Sequence, residues 1–148
     1  MENEKEQFVK VVVELPDTGE GIGAERMWAV ALGNDVYELR NSPWFAHNVN
    51  WGDWVKATAP SEDKWPVFVS VVKRSGNRTI HIFFHEEGLA QKNAILQEIN
   101  RLGASYENND GKMYAVDCSP ETDVAPIIEY LERLETDDSI HFCINSCD

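Results

Sequence analysis

Apolar residues recur with one period in the first half of the chain and with another in the second. Phe8 to Leu15 alternates, with Val9, Val11, Val13 and Leu15 on one side and Lys10 and Glu14 on the other. That is the period-2 pattern of a half-buried strand. Pro16 to Gly23 reads as a flexible connection. Met27 to Leu32 and Val36 to Leu39 are two more strand-like runs, joined at Gly33-Asn34, a pair that tolerates positive φ in a tight hairpin. After an aromatic loop, Asn41 to Trp51, come Trp54 to Ala59 and Val67 to Lys73, separated by the turn-rich Pro60 to Lys64. Short strands with no helical period among them predict a small antiparallel β-barrel or a strongly bent sheet.

Beyond the turn at Ser75-Gly76-Asn77 the texture changes. Thr79 to Phe84 is a strand, and Leu89, Ile95, Leu96, Ile99 and Leu102 then fall on one helical face, with Gly103 placed as a C′ cap. Ala104 to Glu107 and Lys112 to Asp117 form a predicted hairpin around Asn108 to Gly111. A second helix begins near Asp123, with Val124, Ile127, Ile128, Leu131 and Leu134 on its apolar stripe. Pro126 sits in its first turn, where a missing N–H costs nothing. Ser139 to Ile144 closes as a strand. The order β-α-β-β-α-β is that of a ferredoxin-like unit. The predicted fold is therefore α+β: a disordered tail over residues 1–7, a small N-terminal antiparallel β-barrel over 8–75, and a ferredoxin-like unit over 76–148 on which the barrel packs.

Composition narrows the function classes. The 148 residues carry 13 Lys plus Arg against 26 Asp plus Glu, a net charge of −13. Phosphate neutralisation needs clustered cations, so this balance argues against a duplex-coating protein, and no direct nucleic-acid contact is expected. A surface helix on anionic lipid is disfavoured for the same reason. With 43% hydrophobic residues the chain is too apolar for a disordered acidic segment. No run approaches the roughly 18 apolar residues of a spanning helix, and MENEKEQ lacks the features of a signal peptide, so a cytoplasmic protein is expected. Cys118, Cys143 and Cys147 are then read as reduced thiols.

The runs Glu25 to Lys56, Val71 to Phe84 and Tyr114 to Leu131 resemble the bacterial family catalogued as domain of unknown function 4265. The resemblance rests on the aromatic-Ala-His loop followed by Trp-Gly-Asp (Trp51 to Asp53) and on the Arg-Ser-Gly-Asn turn (Arg74 to Asn77). It covers about Phe8 to Phe142 and implies a bacterial origin and one architecture. It brings no activity, so it assigns no catalytic residue and no cofactor.

Several constellations carry candidate chemistry. Gly19, Gly21 and Gly23 are spaced like a phosphate loop, but they lead into a strand and Glu20 would repel an anion, so a hairpin connection is the better account. Parity in a ferredoxin-like sheet puts His81, His141 and Cys143 on one face, where a transition-metal site or a polar seam can form. No CxxC or HExxH spacing supports the metal. His141 and Cys143 lie about 7 Å apart along their strand, too far for a direct hydrogen bond. Asp117 beside Cys118 raises that thiol's pKa rather than activating it, so no cysteine nucleophile is expected. Cys143 and Cys147 read as bystanders. The loop to Trp54 concentrates Trp44, Phe45, His47, Trp51 and Asp53. Its rings can line a ligand pocket of Trp44, His47, Trp51 and Asp53, or fold back as the plug of the barrel.

Charge is the most localised feature. Residues 1–75 hold eight bases against twelve acids, residues 76–148 five against fourteen, and residues 117–148 alone carry −8. Glu121, Asp123, Glu129, Glu132, Glu135, Asp137 and Asp138 cluster on the second helix and its flanks. Charge this dense opposes folding by self-repulsion, which favours a use for it over mere solubility. The expected function is non-catalytic: a bacterial immunity or antitoxin-type inhibitor whose acidic face masks the basic active site of a nuclease-like cognate toxin. The rival readings are a ligand-binding or enzymatic domain on the Trp44–Trp54 loop and a homo-oligomer paired through the second sheet.

Overall fold

The computed structural model describes residues 7–15 and 23–145. The expected tail apart from Gln7, the glycine-rich connection up to Ile22, and Cys147 lie outside the described residues. The protein is α+β, with two largely antiparallel sheets of five and four strands and three helices among the described residues. The chain divides into two compact units, Met1–Ser75 and Gly76–Asp148.

In the first unit, β1 (Phe8–Glu14), β2 (Ala24–Gly33), β3 (Val36–Leu39), β4 (Trp54–Thr58) and β5 (Val67–Lys73) pair antiparallel in chain order. β5 then returns to β1 through Val12↔Val67, with the Val12 N–H donating to the Pro66 carbonyl at 2.9 Å. This last pairing is parallel, which corrects the all-antiparallel expectation. Four antiparallel steps leave the fifth strand pointing the same way as the first, so a five-strand meander can meet its own start only in parallel. The β2–β3 turn also shifts by one residue from its expected place. Asn34 and Asp35, not Gly33 and Asn34, are its central pair, at φ 56° and 63°, the double left-handed geometry that matches strand twist. Gly33, at φ 99°, absorbs the register shift beside them.

Alternation sends Val11, Val13, Met27, Ala29, Leu39, Val55 and Ala57 inward. The aromatic loop completes this core with Ala46 and Val49, both essentially inaccessible. Tryptophan does not plug the core: Trp44 and Trp54 are half-buried, and Trp28, Trp51 and Trp65 are exposed. The interior of the five-strand sheet is filled by aliphatic side chains from alanine up to Met27 and Leu39, and indoles are left at its outside.

The second unit runs β6 (Arg78–Phe84), α1 (Glu86–Leu89), α2 (Lys92–Arg101), β7 (Ser105–Asn108), β8 (Met113–Cys118), α3 (Ala125–Thr136) and β9 (Ile140–Ile144). Its sheet order is β7-β8-β6-β9, so the first and last strands lie side by side. Ile80, Ile82, Phe84, Val116 and Ile140 form one face, against which Ile95, Leu96 and Ile99 of α2 and Ile127 and Leu131 of α3 pack. Each fully buried aliphatic side chain contributes about 1.5–3 kcal/mol by leaving water. Gly103 ends α2 at φ 107°, as its cap position requires.

The single helix expected from Leu89 is broken at Ala90 and Gln91 into α1 and α2. The short α1 lays the Gly88 backbone on the strand-leading Ser139, where an added Cβ would collide with the Ser139 carbonyl oxygen and carbon. That obstacle is main chain and cannot swing aside. Gly88→Ala is therefore expected to destabilise the second unit by about 3 kcal/mol, read as a lower urea midpoint, whereas Gly111→Ala, with open space around its Cβ, costs only the strain of its positive φ.

Candidate functional site

The Asn41–Trp54 loop is held from beneath by two carboxylates. Glu25 stands at an inward position of β2 and is 7% exposed. It accepts three successive backbone N–H groups, from Trp44 at 2.5 Å, Phe45 at 2.9 Å and Ala46 at 3.0 Å. Asp53 is 1% exposed. It accepts the Asn50 N–H at 2.9 Å, the Ser75 N–H at 2.8 Å and the Ser75 hydroxyl at 3.0 Å, with Arg74 Nη1 at 3.5 Å. A buried carboxylate is tolerated when donors replace its water, and here they are the loop's own backbone for Glu25 and Asn50 together with Arg74 and Ser75 for Asp53.

Of the four residues expected to line a ligand pocket, His47 borders a depression of about 230 Å³ between Val13, Glu14, Leu15 and the Phe45–Asn48 segment. Trp44, Trp51 and Asp53 are not part of its wall. Asp53 is engaged by Asn50, Arg74 and Ser75, and Trp51 is 37% exposed, with its carbonyl accepting the Ser75 hydroxyl at 2.7 Å. Glu25, which shapes this loop more than any tryptophan, was not singled out from the sequence. Its signal was legible: an acid in phase with Met27 and Ala29 on a strand face that is otherwise apolar.

In the second unit the register sets His81 opposite Cys143 and Phe83 opposite His141. His81 is buried, while His141 is exposed, with its Nδ1 3.1 Å from Glu135 Oε2. No group of three or more His, Cys, Asp or Glu is arranged to hold a metal ion among the described residues. Burial, reinforced by the Asp117 charge, pushes the Cys118 thiol up to about 11, so it remains protonated at neutral pH. Burial and then Glu135 push Cys143 up as well.

Of the acidic set, Glu121, Asp123, Glu129, Glu132, Asp137 and Asp138 are exposed. Glu129 and Glu132 stand off the Ile127–Leu131 stripe of α3, and Asp123 accepts the Ala125 N–H at the helix start. Glu135 is the exception. Its carboxylate accepts the Phe142 N–H at 3.2 Å and so caps the outward edge of β9. Its side chain is half-exposed, and that contact holds one carboxylate oxygen at the sheet edge.

The class that emerges is an α+β protein of two units, one with a carboxylate-pinned aromatic loop and one with an acidic helix face. Residues 25–142 match the model of the family described as Domain of unknown function (DUF4265), and the chain belongs to that family. No curated protein matches it. Among solved structures, a hypothetical protein from Neisseria gonorrhoeae is 21% identical, with a TM-score of 0.78 over 99% of this chain and 97% of that one. At that identity the likeness shows a shared fold. No helix among the described residues is long and apolar enough to cross a membrane.

Two outcomes follow from the carboxylates. Asp53→Ala leaves the buried Asn50 N–H and the part-buried Ser75 N–H without their acceptor and is expected to cost about 2 kcal/mol of stability in urea titrations, while His47→Ala and Trp51→Ala, at the surface, each cost under about 1 kcal/mol. Asp117 behaves oppositely. Burial raises its pKa above the ordinary 3.8, Glu107 adds to the rise, and the Asn77 amide, donating at 2.9 and 3.0 Å, opposes it. The folded chain thus holds this proton more tightly than the unfolded one. Stability from this group is greatest in acid and falls as pH rises through the raised value. Asp117→Asn keeps an acceptor for Asn77 and is expected to raise stability at neutral pH, an advantage that shrinks on acidification in thermal melts.

Proposed function

We propose that this protein is a cytoplasmic, non-catalytic inhibitor of the bacterial immunity or antitoxin type. The finer reading of the fold that accompanies it is a small barrel, supported by the return of β5 to β1, and a ferredoxin-like unit, supported by the order β7-β8-β6-β9. The observation that carries the proposal is the state of the acidic residues on α3 and its flanks. Six of the seven are exposed, and none of Glu121, Glu129 and Glu132 is ion-paired among the described residues. Uncompensated like charge on one face repels itself and is relieved when a basic surface docks. The active-site cleft of a nuclease-like toxin, built to hold phosphates, is such a surface. Long-range attraction speeds encounter, and a buried anchor slows release. Tyr130, half-buried on the same helix, has the size and polar tip that suit an anchor.

The experiment is co-expression with the product of the adjacent upstream gene. A salt-sensitive complex that protects the cell is expected. Glu129→Lys combined with Glu132→Lys should slow association by about tenfold with little change in stability. Absence of both complex and protection sinks the proposal.

A further inference from the structure

The outward face of the first unit's sheet carries charge opposite to that of the chain. Of the seven acids of this unit among the described residues, Glu25 and Asp53 are buried, Glu14 and Glu38 stand outward on the strands, and Asp35, Glu62 and Asp63 lie outside them. Glu38 is engaged by Arg40 Nε at 2.7 Å and Trp54 Nε1 at 3.1 Å. Lys10, Arg26, Lys56 and Lys73 also stand outward on the strands. Two of these cations sit over rings: Lys10 Nζ lies 4.7 Å from the Trp28 centroid and Lys73 Nζ 4.8 Å from that of Trp54. Phe8 meets Trp28 edge to face at 6.4 Å, and the two stay 50% and 47% exposed. Strand register ties the pairs together. Lys10 lies opposite Trp28, and the next row runs Phe8, Val30, Glu38, Trp54, Lys73 across all five strands, four strand spacings or roughly 19 Å.

We propose that this face binds single-stranded nucleic acid, with bases stacked on Trp28 and Phe8 and phosphates on Lys10 and Arg26. Each nucleotide brings one π-face and one phosphate, which is the alternation the surface displays. An acidic peptide would use the cations but offers no π-face to the exposed Trp28 and Phe8 rings. A duplex hides its base faces, and the chain's overall charge opposes coating it. A short single strand instead samples the local field, because charges beyond a Debye length of about 8–10 Å are screened. This departs from the whole-chain charge argument by resolving the charge face by face, and it is independent of the acidic helix.

The test uses the full-length protein and fluorescein-labelled dT12 and U12 in anisotropy titrations at several salt concentrations. At least one oligomer should bind, with a log–log salt slope of about −1.4 for two phosphate contacts. Lys10→Gln should reduce that slope by about 0.7, and Trp28→Ala should weaken binding about tenfold. Trp28→Phe keeps a stacking face and should retain most of the affinity, which separates lost stacking from lost fold. The better of the two oligomers identifies DNA or RNA as the source. The proposal is overturned if neither oligomer binds, if Trp28→Ala and Lys10→Gln leave affinity unchanged, or if a poly-glutamate peptide displaces the oligomer equally well at matched charge.

Discussion

A carboxylate removed from water must find donors, and in the first unit two of them dictate how a long loop is laid down. Asp53 gathers Asn50 from one end of the loop and Arg74 and Ser75 from the end of β5. Glu25 collects three consecutive backbone N–H groups from the other end of the loop. Between these two anchors the chain is forced to present Ala46 and Val49 to the interior. The indoles are thereby carried outward. The fourteen-residue excursion from Asn41 to Trp54 is thus ordered by charge-assisted hydrogen bonds rather than by aromatic packing.

The second unit uses a carboxylate for a different purpose. β9 is an edge strand, and an open edge invites unwanted pairing. Glu135, from the end of the helix that precedes β9, accepts the Phe142 N–H, and His141 lies against the same oxygen. The rest of that helix's acids point to solvent, so one element both guards a sheet edge and displays a charged face. The two units also separate charge: acid is concentrated on α3 and its flanks, while base and exposed aromatic rings share the outward rows of β1 to β5. A net charge of −13 averages over surfaces of opposite sign.

How much was legible follows from which interactions are local. The strands β1 and β5, the helix around Leu131 and the Gly103 cap were readable because period, proline position and cap chemistry act within a few residues. The break at Ala90 was not, and the short α1 before it packs Gly88 on Ser139, some fifty residues away in the chain. Proximity in sequence grouped Trp44, His47, Trp51 and Asp53, of which His47 lines the depression beside Val13 to Leu15 while Asp53 is turned to Asn50, Arg74 and Ser75. A loop folded over two anchors turns neighbouring side chains in different directions: Ala46 and Val49 are buried while Phe45, His47 and Trp51 are exposed. His81 and Cys143 were placed face to face correctly, because strand parity is a local property once the sheet order is known.

By itself the sequence determined which segments are strands and helices, which face of each is apolar, where the texture changes near Ser75, and where acid accumulates. Those are properties of short windows, set by side-chain period and by charge counted along the chain. Only the tertiary structure decided that the five-strand ladder returns to its start in parallel, that aliphatic side chains rather than tryptophan fill its interior, and that Glu25, Asp53 and Glu135 serve the fold while their acidic neighbours face solvent. The first two outcomes depend on how the strands close on one another, and the last on whether a carboxylate meets donors or water, which for Glu25 and Asp53 is set by residues about twenty positions away.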